Sequence, residues 1–170
     1  FKTNLKEKII ITHVSFILDR NPQHNTSYQD IKDEISKSKV EISTENIFKA
    51  VIKIRQRKLP DPQKIGNSGS FFKNPVISTI EFEKLQKKFP NIVGYKISEN
   101  KTKIAAAWLI DNCGWKGFRK GDAGVHENQA LVIVNYGNAS GKEILDLSRN
   151  IQESVKKKFN VVLVPEVNII

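Results

Sequence analysis

The sequence contains a single cysteine, three histidines and no long apolar run, and each shortage excludes a class of protein or of site. Cys113 alone cannot form an internal disulfide or a cysteine-based zinc cluster. The three histidines, His13, His24 and His126, lack the spacing of metal ligands, so we expect no metal site. Charge or proline interrupts every apolar run well short of the roughly 20 residues that a membrane-spanning helix needs. We therefore expect no contact with a membrane.

Arginine is also scarce. It supplies five of the 28 basic residues, which face 18 acidic ones in a chain of net charge +10. Phosphates attract such a surface, so nucleic acid is the first partner to consider. Arginine, however, is the residue favoured for bidentate recognition of bases and phosphates. No ribonucleoprotein motif or helix-turn-helix is present. We therefore expect no nucleic-acid partner. A solvated surface or a phosphate-bearing ligand would explain the positive charge, and a basic nucleic-acid-binding module is the alternative.

The length of 170 residues, with 39% hydrophobic and 27% charged residues, suits one domain or one domain plus part of a second. Periodicity predicts four helices, of which the last has one apolar face; they cover residues 45–57, 79–89, 103–113 and 140–159. Strands are predicted over residues 9–18, 93–97, 130–135 and 161–170, and residues 65–70 are predicted to be a loop. Residues 1–8 lack the apolar core of a signal peptide. The alternation predicts an α+β fold, a mixed α/β sandwich.

Two candidates for chemistry are a hydroxyl and a carboxyl that lie far apart in the chain. Ser70 follows Gly69 at the edge of a turn and precedes two phenylalanines. No nucleophile elbow surrounds it, so Ser70 would be a proton donor rather than an attacking group. Glu166 is the one ionised side chain in the apolar stretch 161–170. It either faces solvent from an edge strand or lies in a pocket whose low dielectric would raise its pKa and suit acid–base work.

Two further segments carry polar or basic side chains at turns. The segment from Arg55 to Pro62 places three cations at a helix end, where the dipole favours them and where Lys58 would also suit a phosphate. The segment from Gly114 to Gly124 alternates glycines with basic and aromatic residues. It would cradle phosphates through backbone N–H groups, but it has neither Walker nor dinucleotide spacing.

Taken in order, these segments resemble the C-terminal half of the UDP-N-acetylenolpyruvoylglucosamine reductase (UDP-N-acetylmuramate dehydrogenase) family, in the subtype with a tyrosine-bearing loop. The resemblance covers essentially the whole chain, and its most specific string is GSFFKNP. The matching strings are RKLPDP (57–62), GNSGSFFKNPV (66–76), AAWLID (106–111), the glycine segment 117–124 leading into VHENQALV (125–132), and PEV (165–167).

The resemblance implies a cytoplasmic bacterial flavoenzyme of peptidoglycan synthesis. In that family NADPH reduces FAD, and the reduced flavin then gives hydride to C3 of the enolpyruvyl ether of a UDP-sugar, with a proton added at C2. Ser70 matches the proton-donating serine, and Glu166 matches the carboxyl group that assists it. A further family arginine matches a position before Phe1, so we expect no turnover from these residues alone.

The resemblance also implies the substrate contacts and the domains. Tyr28 matches a tyrosine that closes over substrate, Lys58 and Asn74 match contacts to the diphosphate, and Lys103 and Gln129 match polar contacts near the uridine. The implied domains are the tail of the FAD-binding domain, the substrate-binding domain and a return strand; they cover residues 1–55, 56–160 and 161–170. FAD would therefore be bound mostly outside this chain, which leaves a UDP-sugar-binding fragment as a further possibility.

Overall fold

A computed structural model describes Leu5 and residues 8–169. The chain divides into two compact units, one up to Ile52 and one from Lys53 onward. Helices combined with two antiparallel sheets confirm the predicted α+β class. The assignment of the units to a FAD-binding tail, a substrate-binding domain and a return strand stays a prediction. Of the helices in the described part, none combines the length and apolarity of a membrane crossing.

The first unit contains helix α1 (Gln29–Ser38) and most of helix α2 (Thr44–Lys58). Helix α2 confirms the helix predicted over residues 45–57, and the Ser43 hydroxyl accepts a hydrogen bond from Asn46 N–H (3.2 Å) at its start. The strand predicted over residues 9–18 is wrong, because these residues form no strand. Neither described sheet offers them a partner, and an unpaired strand cannot satisfy its backbone groups.

The second unit contains a four-stranded antiparallel sheet in the order β1–β7–β6–β5. Its strands are β1 (Gly66–Ser70), β5 (Arg119–Lys120), β6 (Ala123–Val125) and β7 (Val132–Asn135). Strand β1 corrects the predicted loop over residues 65–70. The glycine, asparagine and serine residues that predict a turn there form a β-bulge instead. At the bulge the register with β7 shifts between Asn67 and Ser70. Strand β7 agrees with the strand predicted over residues 130–135.

A three-stranded antiparallel sheet follows, in the order β2–β4–β3. Its strands are β2 (Val76–Ser78), β3 (Gly94–Ser98) and β4 (Lys101–Ile104), and helix α3 (Thr79–Lys88) packs against it. Helix α4 spans only Ala106–Asn112, so the helix predicted over residues 103–113 began too early. The first residues of that prediction hydrogen-bond to β2 and β3 on both sides, and this pairing overrides their helical periodicity.

The core lies mainly beneath helix α5 (Gly141–Phe159), whose predicted apolar face is confirmed. A capping box at Ser140 and Glu143 begins the helix. Beyond α5, Val161 and Leu163 are buried while Val162 and Val164 are exposed. The strand predicted from residue 161 is reduced to one isolated bridge between Pro165 and Phe72, and Ile170 lies outside the described residues.

Gly94 is required by a close approach between β3 and α3. A Cβ atom added there would overlap the ring of Phe82. We expect Gly94→Ala to lower the free energy of unfolding by about 1–3 kcal/mol, the usual effect of overpacking. Gly141→Ala is the matched control, because no heavy atom lies within 4 Å of its added Cβ. Urea unfolding of both variants tests this. Equal stability of the Gly94→Ala and Gly141→Ala variants would contradict it.

Asp122 fastens the turn between β5 and β6 to the loop that precedes α5. Its carboxylate accepts hydrogen bonds from Asn138 N–H (2.9 Å) and from the guanidinium of Arg119 (3.0 Å). These bonds hold the pKa of Asp122 below its ordinary value of 3.8. The carboxylate therefore stabilises the fold fully above pH 3.8, and the contribution is lost as the pH falls through the lower folded-state pKa.

We expect Asp122→Asn to destabilise the chain at neutral pH by an amount that shrinks once the pH falls below 3.8. Thermal unfolding of the variant and the original chain across pH 2–7 measures the difference. A difference that stays constant over the whole range would contradict the charge-dependent role.

Candidate functional site

Ser70 ends strand β1 immediately after the bulge. Gly69 has φ +74°, a left-handed conformation that glycine adopts without strain, and the Asn67 side chain accepts a hydrogen bond from Gly69 N–H (3.1 Å). Ser70 pairs with Val132 of β7 and is exposed. The bulge therefore presents the Ser70 hydroxyl at the surface, at the end of a hydrogen-bonded strand.

The two phenylalanines after Ser70 anchor it from behind. Phe71 and Phe72 are 5% and 1% exposed, and their rings meet edge to face with centroids 5.1 Å apart. Phe71 N–H donates to Leu131 O (2.8 Å), so the backbone pairing of β1 with β7 continues one residue beyond Ser70. Because both rings belong to the core, the backbone of Ser70 has little freedom to move.

The structure brings the backbone of Glu166 to Phe71, the residue after Ser70. Glu166 N–H donates to Phe71 O (2.8 Å), and Lys73 N–H donates to Val164 O (2.9 Å), on either side of the bridge between Phe72 and Pro165. The backbone of Glu166 is thus bonded to the residue that follows Ser70. Glu166 is exposed, so within the described chain the solvent-facing alternative holds rather than an enclosing apolar pocket.

Asn74 has a structural partner. Its Oδ1 accepts a hydrogen bond from Ala106 N–H (2.9 Å), the first residue of α4. The residue at the N-cap of α4, Ala105, has no side chain that can do so, and Asn74 supplies the missing acceptor from a distant segment. The remaining polar group of the Asn74 amide is the Nδ2 donor.

A cleft of about 590 Å³ adjoins the bulge. It is lined by Gly69 and Asn67 from β1, by Val132, and by the end of α2 and the proline-rich turn after it. Lys58 is the last residue of α2 and is half-buried. The complete lining is Arg55, Gln56, Leu59, Pro60, Asp61, Pro62, Lys64, Asn67, Gly69 and Val132. Two of these are cations and one is an anion, so the cleft is favourable to a negatively charged ligand.

Lys103 lies on the central strand of the three-stranded sheet, half-buried, in register with Val76 on one side and Tyr95 on the other. Residues directly opposite each other in adjacent strands carry their side chains on the same face. Tyr95 is 56% exposed and therefore stands beside Lys103 on that face. No sequence pattern indicates that Tyr95 lies beside Lys103, because only the register between β3 and β4 brings the two together.

Gln129 lies in a tight turn between β6 and β7. Its N–H donates to His126 O (3.4 Å), its carbonyl accepts from Val132 N–H (3.0 Å), and its Oε1 accepts from Leu131 N–H (3.5 Å). Tyr28 belongs to the first unit, where it occupies the N-cap of α1 and is 60% exposed. Its role in substrate binding stays a prediction.

The glycine-rich segment includes the hairpin of β5 and β6, and its role as a phosphate cradle stays a prediction. Gly114, Gly117 and Gly121 adopt positive φ at its turns. The cavity beside it, of about 510 Å³, is lined by Trp115 and Phe118, and its charged lining residues are two carboxylates of α5, Glu143 and Asp146, and one cation, Lys120. This excess of negative charge does not favour a phosphate. Among the described residues, no group of three or more potential ligands is placed to hold a metal ion.

The model of a protein family described as UDP-N-acetylenolpyruvoylglucosamine reductase, C-terminal domain, matches residues 61–170. The chain belongs to this reductase family. It is 51% identical to the UDP-N-acetylenolpyruvoylglucosamine reductase of Flavobacterium johnsoniae over 172 aligned residues, which cover 100% of this chain and 51% of the relative. The reductase of Chromobacterium violaceum is 45% identical, with 98% and 49% covered. The chain therefore spans about half the length of these curated relatives.

Among solved structures, the chain is similar to UDP-N-acetylenolpyruvylglucosamine reductase from Thermus caldophilus. The sequences are 26% identical, the TM-score is 0.41, and the match covers 73% of this chain and 35% of the other. This overlap is too low to carry a conclusion about the fold.

We expect Asn74→Ala to lower the free energy of unfolding by about 1 kcal/mol, because the Ala106 N–H loses its acceptor. Asn74→Asp keeps an acceptor oxygen and is expected to retain most of that stability. Urea unfolding of the ligand-free chain measures both. Equal loss in the two variants would show that the hydrogen bond to α4 is not what Asn74 contributes.

Proposed function

We propose that this chain is the substrate-binding and proton-donating part of an enzyme that reduces the enolpyruvyl ether of UDP-N-acetylglucosamine enolpyruvate to UDP-N-acetylmuramate. The enzyme would be an NADPH-dependent flavoprotein of peptidoglycan synthesis in the bacterial cytoplasm. Membership of the reductase family supports the proposal. The observation that supports it at the level of residues is the hydrogen bond of 2.8 Å from Glu166 N–H to Phe71 O, which joins one predicted catalytic residue to the neighbour of the other, Ser70.

Ser70 is the proposed proton donor. Hydride added to C3 of the enolpyruvyl group leaves C2 as a strongly basic, enolate-like carbon. The Ser70 hydroxyl forms the new C2–H bond as its own O–H bond breaks, and solvent later restores the proton. A hydroxyl of high pKa is competent for this step when it is fixed in line with a basic carbon. The bulge at Gly69 and the buried Phe71 and Phe72 support this role, because they restrict the backbone on both sides of Ser70.

Glu166 and the cations are given supporting roles. Glu166 would stabilise the enolic form of the substrate carboxylate beside Ser70. Lys58 and the Nδ2 donor of Asn74 would bind the diphosphate, an arrangement that leaves Asn74 Oδ1 on α4. Lys103 and Gln129 would contact the uridine end, and Tyr28 would close over the substrate. Arg55 and Lys64 in the cleft raise the encounter rate of a polyanionic substrate.

FAD, when bound, would supply the hydride that it receives from NADPH. The glycine-rich segment does not by itself fit the flavin phosphates, since it turns a hairpin beside a cavity lined by two carboxylates, Glu143 and Asp146, and only one cation, Lys120. We accordingly assign FAD binding to the part of the enzyme that this chain does not span. Copurification of one flavin per chain with these 170 residues would overturn that assignment.

We expect Ser70→Ala, in the full-length enzyme that carries this segment, to slow substrate reduction by about 100- to 10,000-fold, the usual contribution of a general acid. Reduction of the flavin by NADPH should stay unchanged, because it precedes the proton transfer. Ser68→Ala, an exposed serine of the same strand, is the control. Stopped-flow spectroscopy separates the two half-reactions, and equal slowing of both would contradict the role of Ser70.

Direct binding tests the alternative function, that of a basic nucleic-acid-binding module. We expect the enolpyruvyl UDP-sugar to bind this chain and a random oligonucleotide to compete only at low ionic strength, where non-specific phosphate contacts are strongest.

A further inference from the structure

His126 is the one histidine of the described chain that is buried, with 8% of its surface exposed. It begins the turn that carries Gln129 and that leads into β7, the strand against which Ser70 is paired. Nothing in the proposed reaction uses its side chain. A buried imidazole is polar and needs a hydrogen-bond partner, so its surroundings indicate what it does.

The ring of His126 accepts a hydrogen bond from the backbone of its own turn. Asn128 N–H lies 3.3 Å from Nδ1. A backbone N–H is always a donor, so Nδ1 must be the unprotonated nitrogen and the proton of the neutral ring must lie on Nε2. The side chain thereby satisfies a backbone donor one residue before Gln129. A protonated ring would replace that acceptor with a second donor and break the bond.

The backbone of His126 fixes the other end of the same turn. His126 N–H donates to Val132 O (2.9 Å), and Val132 N–H donates to Gln129 O (3.0 Å). Val132 is also the register partner of Ser70. The turn from His126 to Val132 therefore connects the proposed uridine contact to the strand that holds the proposed proton donor.

We propose that His126 is a positioning residue: its neutral ring, accepting the Asn128 N–H at Nδ1, fixes the conformation of the turn and so sets the side-chain position of Gln129. This inference rests on the proposed function. The ring does not touch the substrate. Its effect is on substrate affinity more than on the rate of proton transfer, because the backbone bonds to Val132 persist whatever side chain is present at residue 126.

The test compares His126→Leu with His126→Asn in the full-length enzyme that carries this segment. Leucine removes the acceptor and leaves a backbone donor unsatisfied, whereas asparagine places an amide oxygen near the position of Nδ1. We expect His126→Leu to raise KM for the enolpyruvyl UDP-sugar about tenfold, the effect of one lost hydrogen bond. We expect kcat to change less than about threefold, and His126→Asn to restore most of the affinity. Glu127→Ala, an exposed neighbour in the turn, is the control.

A normal KM in His126→Leu, or an equal loss in the leucine and asparagine variants, would overturn the inference. If the leucine variant does not fold, the original chain supplies two further measurements. Nitrogen NMR should show Nδ1 unprotonated and Nε2 protonated at neutral pH, and hydrogen exchange should show the Asn128 amide protected. The opposite tautomer or an unprotected amide would overturn it equally. Failure of the unmodified enzyme to reduce the enolpyruvyl substrate would instead contradict the proposed function. The tautomer and the amide protection would still test whether the His126 ring holds the turn.

Discussion

The five residues from Ser70 to Asn74 are held by hydrogen bonds along both edges, and the candidate site depends on this arrangement. On one side Phe71 N–H donates to Leu131 O, beside β7. On the other side Phe71 O and Lys73 N–H bond to the segment from Val164 to Glu166. The rings of Phe71 and Phe72 are buried between these edges. Moving Ser70 would require the loss of both sets of bonds and of two buried aromatic rings, and burial of such rings is among the largest stabilising contributions a side chain makes.

The same arrangement explains why segments distant in sequence lie side by side. Glu166 follows Ser70 by nearly a hundred residues, yet its amide bonds to the neighbour of Ser70. Asn74, at the other end of the segment, bonds to the first residue of α4. The segment therefore links the four-stranded sheet, residues 164–166 and α4. Backbone hydrogen bonds, two buried rings and the amide oxygen of Asn74 hold the segment in place, so the exposed hydroxyl of Ser70 remains available to a ligand.

Glycine determines the local shape at two points of this region. Gly69 adopts the left-handed conformation that allows the bulge, and Gly94 admits the ring of Phe82 against β3. Neither position is open to a side chain without strain or overlap. At Asn67 and Asn135, side chains complete nearby turns by accepting backbone N–H groups, which is the role that makes asparagine common in turns. The strings that carry the family resemblance thus contain residues required by the backbone as well as residues available for a ligand.

The sequence by itself determined the long helices, their caps and the family. The apolar spacing in α5 and the serine–glutamate pairs before α3 and α5 act within a few residues, so local chemistry is sufficient to specify them. The strands were different. Residues 66–70 contain glycine, asparagine and serine, which favour turns, and they became a strand because β7 offers partners. Residues 9–18 have strand composition and form none, because the described sheets offer no partner. Likewise only the tertiary structure decided that Tyr95 stands beside Lys103, that Asn74 caps α4 and that Glu166 meets Phe71, since pairing between distant segments leaves no periodic mark in the chain.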